Sequence, residues 1–396
     1  MGVSQPDAGA PGPRQGRRAP AAAGRERGKE RRPRPVRGRT RAPWGVAALG
    51  LAALAASCSP LYVLRAGWEE ARILTARRPI EDVILDPDTD DSTRGKLTFA
   101  RLARAFAIEE LGLDVGDSYT TYTRLDRDTL AMVLSAAEKD RLAARTWWFP
   151  VVGRVPYRGF FDLDDALDEQ RKLEEEGFDT WLRPTSAFST LGWFADPLMS
   201  TVLRQDEIGV VQTILHEVSH AHLWVAGSVS FNESFATFVG NAGAAAFFCA
   251  DSGEIETVRC TRARRRWGDA MKFSVFLDGL VADLERVYDD AARTREERLS
   301  ARERVFAEAL ARFTAEVQPT FEASTYAGFV DTPLNNATLL ARIRYYHRLP
   351  DFQALLDDHD GDLRTAVAWI ASRAPELADP FDVLPRASAA STDGIS

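Results

Sequence analysis

The chain of 396 residues is 45% hydrophobic and 27% charged, the composition of a globular protein with room for one large domain or two smaller ones. Its net charge of -8 is unevenly placed, because residues 1–42 hold twelve basic and three acidic residues, and the remainder therefore carries a net charge of -17. An acidic body argues against nucleic acid as the main ligand, since phosphate binding needs a basic face.

The first 58 residues have the pattern of a targeting region. Residues 1–42 are rich in Pro, Gly and Arg, and we predict that this basic segment is disordered. Residues 43–57 form a charge-free apolar run that is shorter than the about 20 residues of a membrane span and is typical of a signal peptide. Small residues before Cys58 resemble a bacterial lipobox, so we predict lipidation of Cys58, with an uncleaved membrane anchor as the alternative. A start at Val36 would give a more compact signal.

The rest of the chain is predicted to be one α+β domain, mainly helical, over residues 58–385, with a flexible polar tail over residues 386–396. Helices are expected from Leu61 to Arg77 and from the cap at Asp162 to Glu176. Short strands are expected at 147–152, 180–183 and 188–194. Helical patterns cover 206–226, 264–316 (two helices or one bent helix) and 335–347, and two more helices are expected before Pro380.

The window 206–226 carries the strongest functional signal, the motif His216-Glu217-x-x-His220. Apolar residues recur there at helical spacing, so the helix is predicted independently of the motif. Positions four apart share a helix face, which lets His216 and His220 hold one metal ion. Glu217 lies about 100° round the helix. From there it can act as a general base without being a ligand.

Glu233 is the predicted third ligand, because a catalytic zinc normally has three protein ligands and one open position. Glu233 lies thirteen residues after His220, in a segment that starts at Asn232 and reads as a second helix with its apolar residues facing the core. A turn over residues 227–231 would bring Glu233 back opposite the two histidines.

His216-Glu217-x-x-His220 followed by Asn232-Glu233-x-Phe235-Ala236 resembles the gluzincin metallopeptidases, and the M1 aminopeptidases carry a similar second motif. The chain is more similar still to a family of bacterial lipoproteins called predicted aminopeptidases. That resemblance covers roughly residues 58–375. It rests further on the segments Arg77-Arg78-Pro79-Ile80, Tyr157-Arg158-Gly159-Phe160-Phe161-Asp162, Ser189-Thr190-Leu191-Gly192-Trp193-Phe194-x-Asp196-Pro197 and Leu334-Asn335-Asn336-Ala337.

The resemblance implies a gluzincin-like zinc core with a small sheet, zinc as the cofactor, and a peptide substrate. It also implies a downstream Tyr or His that stabilises the oxyanion, for which we favour Tyr346 among the candidates Tyr326, Tyr345, Tyr346 and His347. Residues 188–194 would be an edge strand that pairs with the substrate, with an ordinary core strand as the alternative. Aminopeptidases of the M1 type place a carboxylate near this strand to hold the substrate amine, and the nearest acidic residue here is Asp196.

The leading hypothesis is therefore a zinc metallopeptidase, and more narrowly an aminopeptidase, held on the periplasmic side of the bacterial cell envelope by a lipid on Cys58. The rival hypothesis is a non-catalytic zinc-containing lipoprotein that acts as a scaffold. Cys249 and Cys260 form either a disulfide or two buried thiols, and the sequence leaves both open.

Overall fold

Helices dominate the part of the chain that the computed structural model describes, namely residues 75–126, 129, 131–149, 153–185, 196–250 and 256–387. They are α1 (Ile80–Leu85), α2 (Asp91–Glu109), α3 (Leu163–Glu175), α4 (Glu207–His222), α5 (Val229–Cys249), α6 (Val258–Tyr288), α7 (Arg295–Arg312), α8 (Ala327–Val330), α9 (Asn336–Tyr346), α10 (Leu349–Asp358) and α11 (Leu363–Arg373).

The strands are short and form small sheets beside the helices. They are β1 (Arg78–Pro79), β2 (Thr121–Thr123), β3 (Ala131–Ala137), β4 (Trp147–Phe149), β5 (Gly153–Val155), β6 (Arg158–Phe160), β7 (Asp179–Thr185) and β8 (Leu198–Met199). One sheet has the order β1-β2-β8, with β2 and β8 parallel. A second has the order β6-β3-β7 and is antiparallel throughout, and β4 pairs with β5. The predicted α+β class, mainly helical with a small sheet, is confirmed.

Helix α5 lies at the centre of the main core. Its 21 residues contain only one charged side chain, and its residues from Phe231 to Val239 are all buried. Nine consecutive buried residues cover every side of a helix, so α5 must be surrounded by other elements. Helices α4, α6 and α9 pack against it. None of the helices in the described part of the chain has the length and apolar character needed to span a membrane.

Most predicted elements are present with shifted ends. Asp162 caps α3 by accepting hydrogen bonds from two backbone N–H groups, and Gly177 follows the helix with φ of 91°. The charged region 264–316 forms two helices, α6 and α7, and α9 lies within the window 335–347. The predicted strand at 188–194, most of the first helix, residues 1–57, Cys58 and most of the tail lie outside the described residues.

Helix α4 is shorter than predicted, because it ends at His222 instead of near Gly227. The next residue, Leu223, is extended, and the following loop is held by a side chain from the next helix. Asn232 accepts a hydrogen bond from the backbone N–H of Val225 and donates one to its carbonyl oxygen. Helix α5 begins at Val229. Asn232 therefore lies inside the helix, near its start, and it holds the loop between α4 and α5 instead of capping α5.

A disulfide joins Cys249, the last residue of α5, to Cys260 in the first turn of α6. The sequence left open whether these cysteines form a disulfide or remain two buried thiols, and the structure has the disulfide.

Candidate active site

Helix α4 presents His216, Glu217 and His220 to a cavity. Asp206 caps the helix by accepting a hydrogen bond from the N–H of Gly209. The face of the helix opposite the cavity is fully buried in the core. The imidazole rings of His216 and His220 have centroids 5.0 Å apart, as expected for positions one turn apart on the same face.

Glu233 lies against both histidines and is the single charged residue of α5. Its Oε2 is 3.3 Å from Nε2 of His216 and 3.5 Å from Nε2 of His220, and the side chain is only 8% exposed. Burial raises the pKa of this carboxyl group, but His220 and His216 outweigh that effect and hold the pKa well below its usual range. The carboxylate is therefore ionised in a helix that has no other charged residue.

Glycines let α4 and α5 approach closely enough for these contacts. A Cβ atom on Gly240 would lie 2.8 Å from the carbonyl oxygen of Gln212 and 3.2 Å from Cβ of His216. A Cβ atom on Gly243 would lie 2.9 Å from a methyl group of Leu215. Any side chain at Gly240 would therefore push Glu233 away from the helix that carries the histidines.

The three side chains fit a divalent metal ion. Their nearest nitrogen and oxygen atoms all lie within 4.8 Å of one another. Ligands at about 2.1 Å from a tetrahedral zinc lie roughly 3.4 Å apart, which matches the separations of 3.3 and 3.5 Å between Glu233 and the histidines. Two imidazoles and one carboxylate are also a donor set that zinc favours in catalytic sites, where one position stays open.

Glu217 is partly buried beside this group and lines the same cavity. Burial raises its pKa to about 7, His216 opposes that rise, and the negative charges of Glu233 and Asp196 add to it. A bound dication would act in the opposite direction. A carboxyl group whose pKa lies near neutrality can both accept and return a proton.

Two tyrosines approach the candidate metal-binding group of His216, His220 and Glu233. The ring of Tyr345 stacks on that of His216, with the ring centroids 6.0 Å apart. Burial and the charge of Glu233 raise the pKa of the Tyr345 phenol to about 12. The pKa of Tyr157 is raised by the same two causes. Tyr157 belongs to the segment Tyr157-Arg158-Gly159, which supported the family resemblance, but its place in the site was missed.

Tyr346 and His347, two other candidates for oxyanion stabilisation, are placed differently. Tyr346 lines the cavity, but its hydroxyl is hydrogen-bonded with Tyr326 and its ring packs against Phe273. His347 has its Nδ1 2.5 Å from Asp278 Oδ1. His347 is not among the described residues that line the cavity. The role predicted for Tyr346 stays a prediction, and contact with the metal-binding group favours Tyr345.

Asn335 and Asn336 of the predicted family segment support the fold instead of contacting the cavity. Asn335 caps α9. Asn336 is completely buried, donates to the carbonyl oxygens of Glu138 and Arg141, and accepts from the hydroxyl of Tyr288. These bonds fix the start of the helix that carries Tyr345.

The cavity has a volume of about 910 Å³, within the range of pockets that bind small molecules. Aromatic, amide and basic side chains surround the metal-binding group, and among the described lining residues the only acidic ones are Glu217 and Glu233. Asp196, the predicted neighbour of a substrate amine, is 3% exposed and is not one of those lining residues.

A family model described as "Putative aminopeptidase" (Aminopep) matches residues 61–377. Neither a curated protein nor a solved structure gave a match. The matched region contains every described residue of the candidate site, including α4, α5 and α9. The family model thus supports a peptidase, and the chain belongs to this aminopeptidase family.

Proposed function

We propose that the protein is a zinc-dependent aminopeptidase in which His216, His220 and Glu233 hold the metal and Glu217 is the general base. The observation that carries the proposal is Glu233, a buried carboxylate in an otherwise uncharged helix, with one oxygen within 3.5 Å of both histidine Nε2 atoms. Buried carboxylates are rare unless they are paired or coordinate a metal. The arrangement matches the ligands of a catalytic zinc with one open position, as in the gluzincin peptidases.

Zinc, when bound, would supply a Lewis acid that lowers the pKa of a water molecule and polarises the scissile carbonyl group. Glu217 accepts the proton of the attacking water and returns it to the leaving amine. Burial raises the pKa of the Glu217 carboxyl group and so makes it a stronger proton acceptor, whereas a bound dication would act in the opposite direction.

Tyr345 would donate a hydrogen bond to the developing oxyanion, since its phenol is protonated at neutral pH and its ring lies against His216. We expect Tyr345→Phe to lower kcat by about 10²-fold or more, the effect of losing an oxyanion donor. Tyr346→Phe is the matched comparison, and we expect it to have a much smaller effect, because that hydroxyl is already bonded with Tyr326. Steady-state kinetics on one peptide substrate would separate them, and the reverse order would assign the role to Tyr346.

Removal of the metal provides the test of the function itself. Dialysis against a chelator is expected to abolish hydrolysis of a mixed peptide library by the purified protein, and one equivalent of zinc is expected to restore it. Mass spectrometry of the products would show removal of N-terminal residues. A protein that bound zinc but cleaved none of the peptides would support the rival role of a scaffold, and internal cleavage would contradict aminopeptidase specificity.

We further propose that the protein acts on the outer side of a bacterial inner membrane, tethered by a lipid on Cys58. The disulfide between Cys249 and Cys260 supports this location, because disulfides persist in oxidising compartments such as the periplasm. We expect Cys58→Ser to move the protein from the membrane fraction to the soluble fraction. The matched control is Cys249→Ser, which should stay in the membrane fraction. Equal distribution of wild type and Cys58→Ser would contradict the lipid anchor.

A further inference from the structure

A second charged feature of the cavity is Arg183, which has no acidic partner among the described residues. Arg183 projects from β7, lines the cavity and lies with its guanidinium 5.3 Å from the centroid of the Trp181 ring. Its Nε is buried and has no hydrogen-bond partner, and no ion pair joins Arg183 to a carboxylate in the described part of the chain. Residues 186–195, which follow the strand, contain no acidic residue in the sequence.

A second arginine lies against the same aromatic ring, that of Trp181. The guanidinium of Arg342, on α9, lies 4.9 Å from the centroid of Trp181. Its Nη2 donates to the carbonyl oxygen of Gly328, whereas its Nη1 is buried without a partner among the described residues. Burial lowers the pKa of Arg342 to about 10, and the nearby positive charge of Arg183 adds to that effect. Two like charges held close together and partly out of water favour binding of an anion.

Arg266 shows that not every arginine of the cavity is available in this way. It also lines the cavity, but its guanidinium is 2.5 Å from Asp206 Oδ2 and also donates to Gln212. Its charge is therefore neutralised by the residue that caps α4. Arg183 lines the same cavity and has no carboxylate partner in the described part of the chain, and an unpaired guanidinium binds carboxylates with paired, charge-assisted hydrogen bonds.

Arg183 is also close to the proposed reaction centre. It lines the same cavity as Tyr345 and His216. The ring of Tyr345 in turn lies against His216. A ligand anion held by Arg183 would thus occupy the same cavity as the metal-binding group, within a volume of about 910 Å³.

We propose that Arg183 forms an anion subsite that binds a carboxylate of the substrate, so that the cavity selects short peptides with a free C-terminal carboxylate. Arg342 is not among the described residues that line the cavity, and it contributes positive charge from its place on the Trp181 ring. This assignment rests on the proposed peptidase function and narrows its substrate class. The carboxylate of an acidic side chain has the same chemistry and is the other possible source. The cavity of about 910 Å³ would hold a short peptide, whose C-terminal carboxylate would then lie in the same space as Arg183.

The test measures binding separately from hydrolysis. Zinc-loaded full-length protein with Glu217→Gln would be titrated by calorimetry with trialanine, trialanine amide and an amidated tripeptide that has glutamate in the middle. We expect trialanine to bind about tenfold to 100-fold more tightly than its amide, the range for hydrogen bonds to a charged group. Adding Arg183→Gln should remove the difference, and Arg183→Lys should keep part of it.

Arg286→Gln is the matched control, since it removes the same charge from an exposed position on α6 outside the cavity. It should leave the preference for the free acid unchanged. If only the glutamate peptide depended on Arg183, the anion would be a side chain. Equal affinity for trialanine and its amide, or a preference that survived Arg183→Gln in a protein with an unchanged melting temperature, would overturn the subsite. A preference for the free acid without any hydrolysis by wild type would overturn the peptidase function and leave the subsite standing.

Discussion

Replacing Glu217 by glutamine is expected to lower kcat/KM for peptide hydrolysis by about 10²- to 10⁴-fold, the usual contribution of a general base. Glutamine has the same shape but cannot accept the proton of the attacking water. The side chain is not one of the three proposed ligands, so the zinc content of the purified variant should equal that of wild type. Hydrolysis of one peptide and metal analysis of the same preparation would measure both quantities.

Glu207→Gln is the matched control for this experiment, because Glu207 lies on the same helix and forms an ion pair with Arg259 instead of facing the cavity. We expect it to keep activity within about threefold of wild type, since exposed ion pairs contribute little. A zinc-loaded Glu217→Gln variant that cleaved peptides as fast as the control would remove Glu217 from the mechanism.

Replacing Glu233 by glutamine is expected to weaken zinc binding by more than about 100-fold. Loss of groups that only support a ligand typically costs 10- to 100-fold in affinity, and loss of a ligand should cost more. The amide is neutral, so it removes the charge that makes this buried position favourable for a dication. Competition with a chromophoric chelator would give the affinity of each protein.

Glu217→Gln serves as the comparison for Glu233→Gln, because both changes turn a carboxylate of the same cavity into an amide. The first should lose activity and keep zinc, and the second should lose both. Added zinc should also raise the melting temperature of wild type and of Glu217→Gln by more than that of Glu233→Gln. An affinity of Glu233→Gln within tenfold of wild type would show that the third ligand lies elsewhere.

The central part of the site was predictable from the sequence because it is local. His216 and His220 are one turn apart on a helix whose apolar spacing is plain, and Glu233 follows on the next helix. The ends of α4 were less predictable. The position at which it stops depends on Asn232, which binds Val225 from the following helix.

Features that depend on tertiary contacts were not predictable. β3 has the sequence Ala-Met-Val-Leu-Ser-Ala-Ala, in which the Ala, Met and Leu residues favour helices, and it is a strand because β6 and β7 pair with it. Tyr157 reaches the site from a loop far away in the sequence. Tyr345 and Tyr346 are neighbours on α9 that point about 100° apart, and no pattern in the sequence tells which of them faces Glu233.

The closeness of α4, α5 and α6 has a consequence for the folding of the chain. Twelve residues separate His220 from Glu233, so bringing the three proposed ligands together closes only a short loop and costs little chain entropy. A bound ion would cross-link α4 to α5, as the disulfide cross-links α5 to α6. With the metal in place, three successive helices would be joined in series by two cross-links of different chemistry, one sensitive to chelators and the other to reductants.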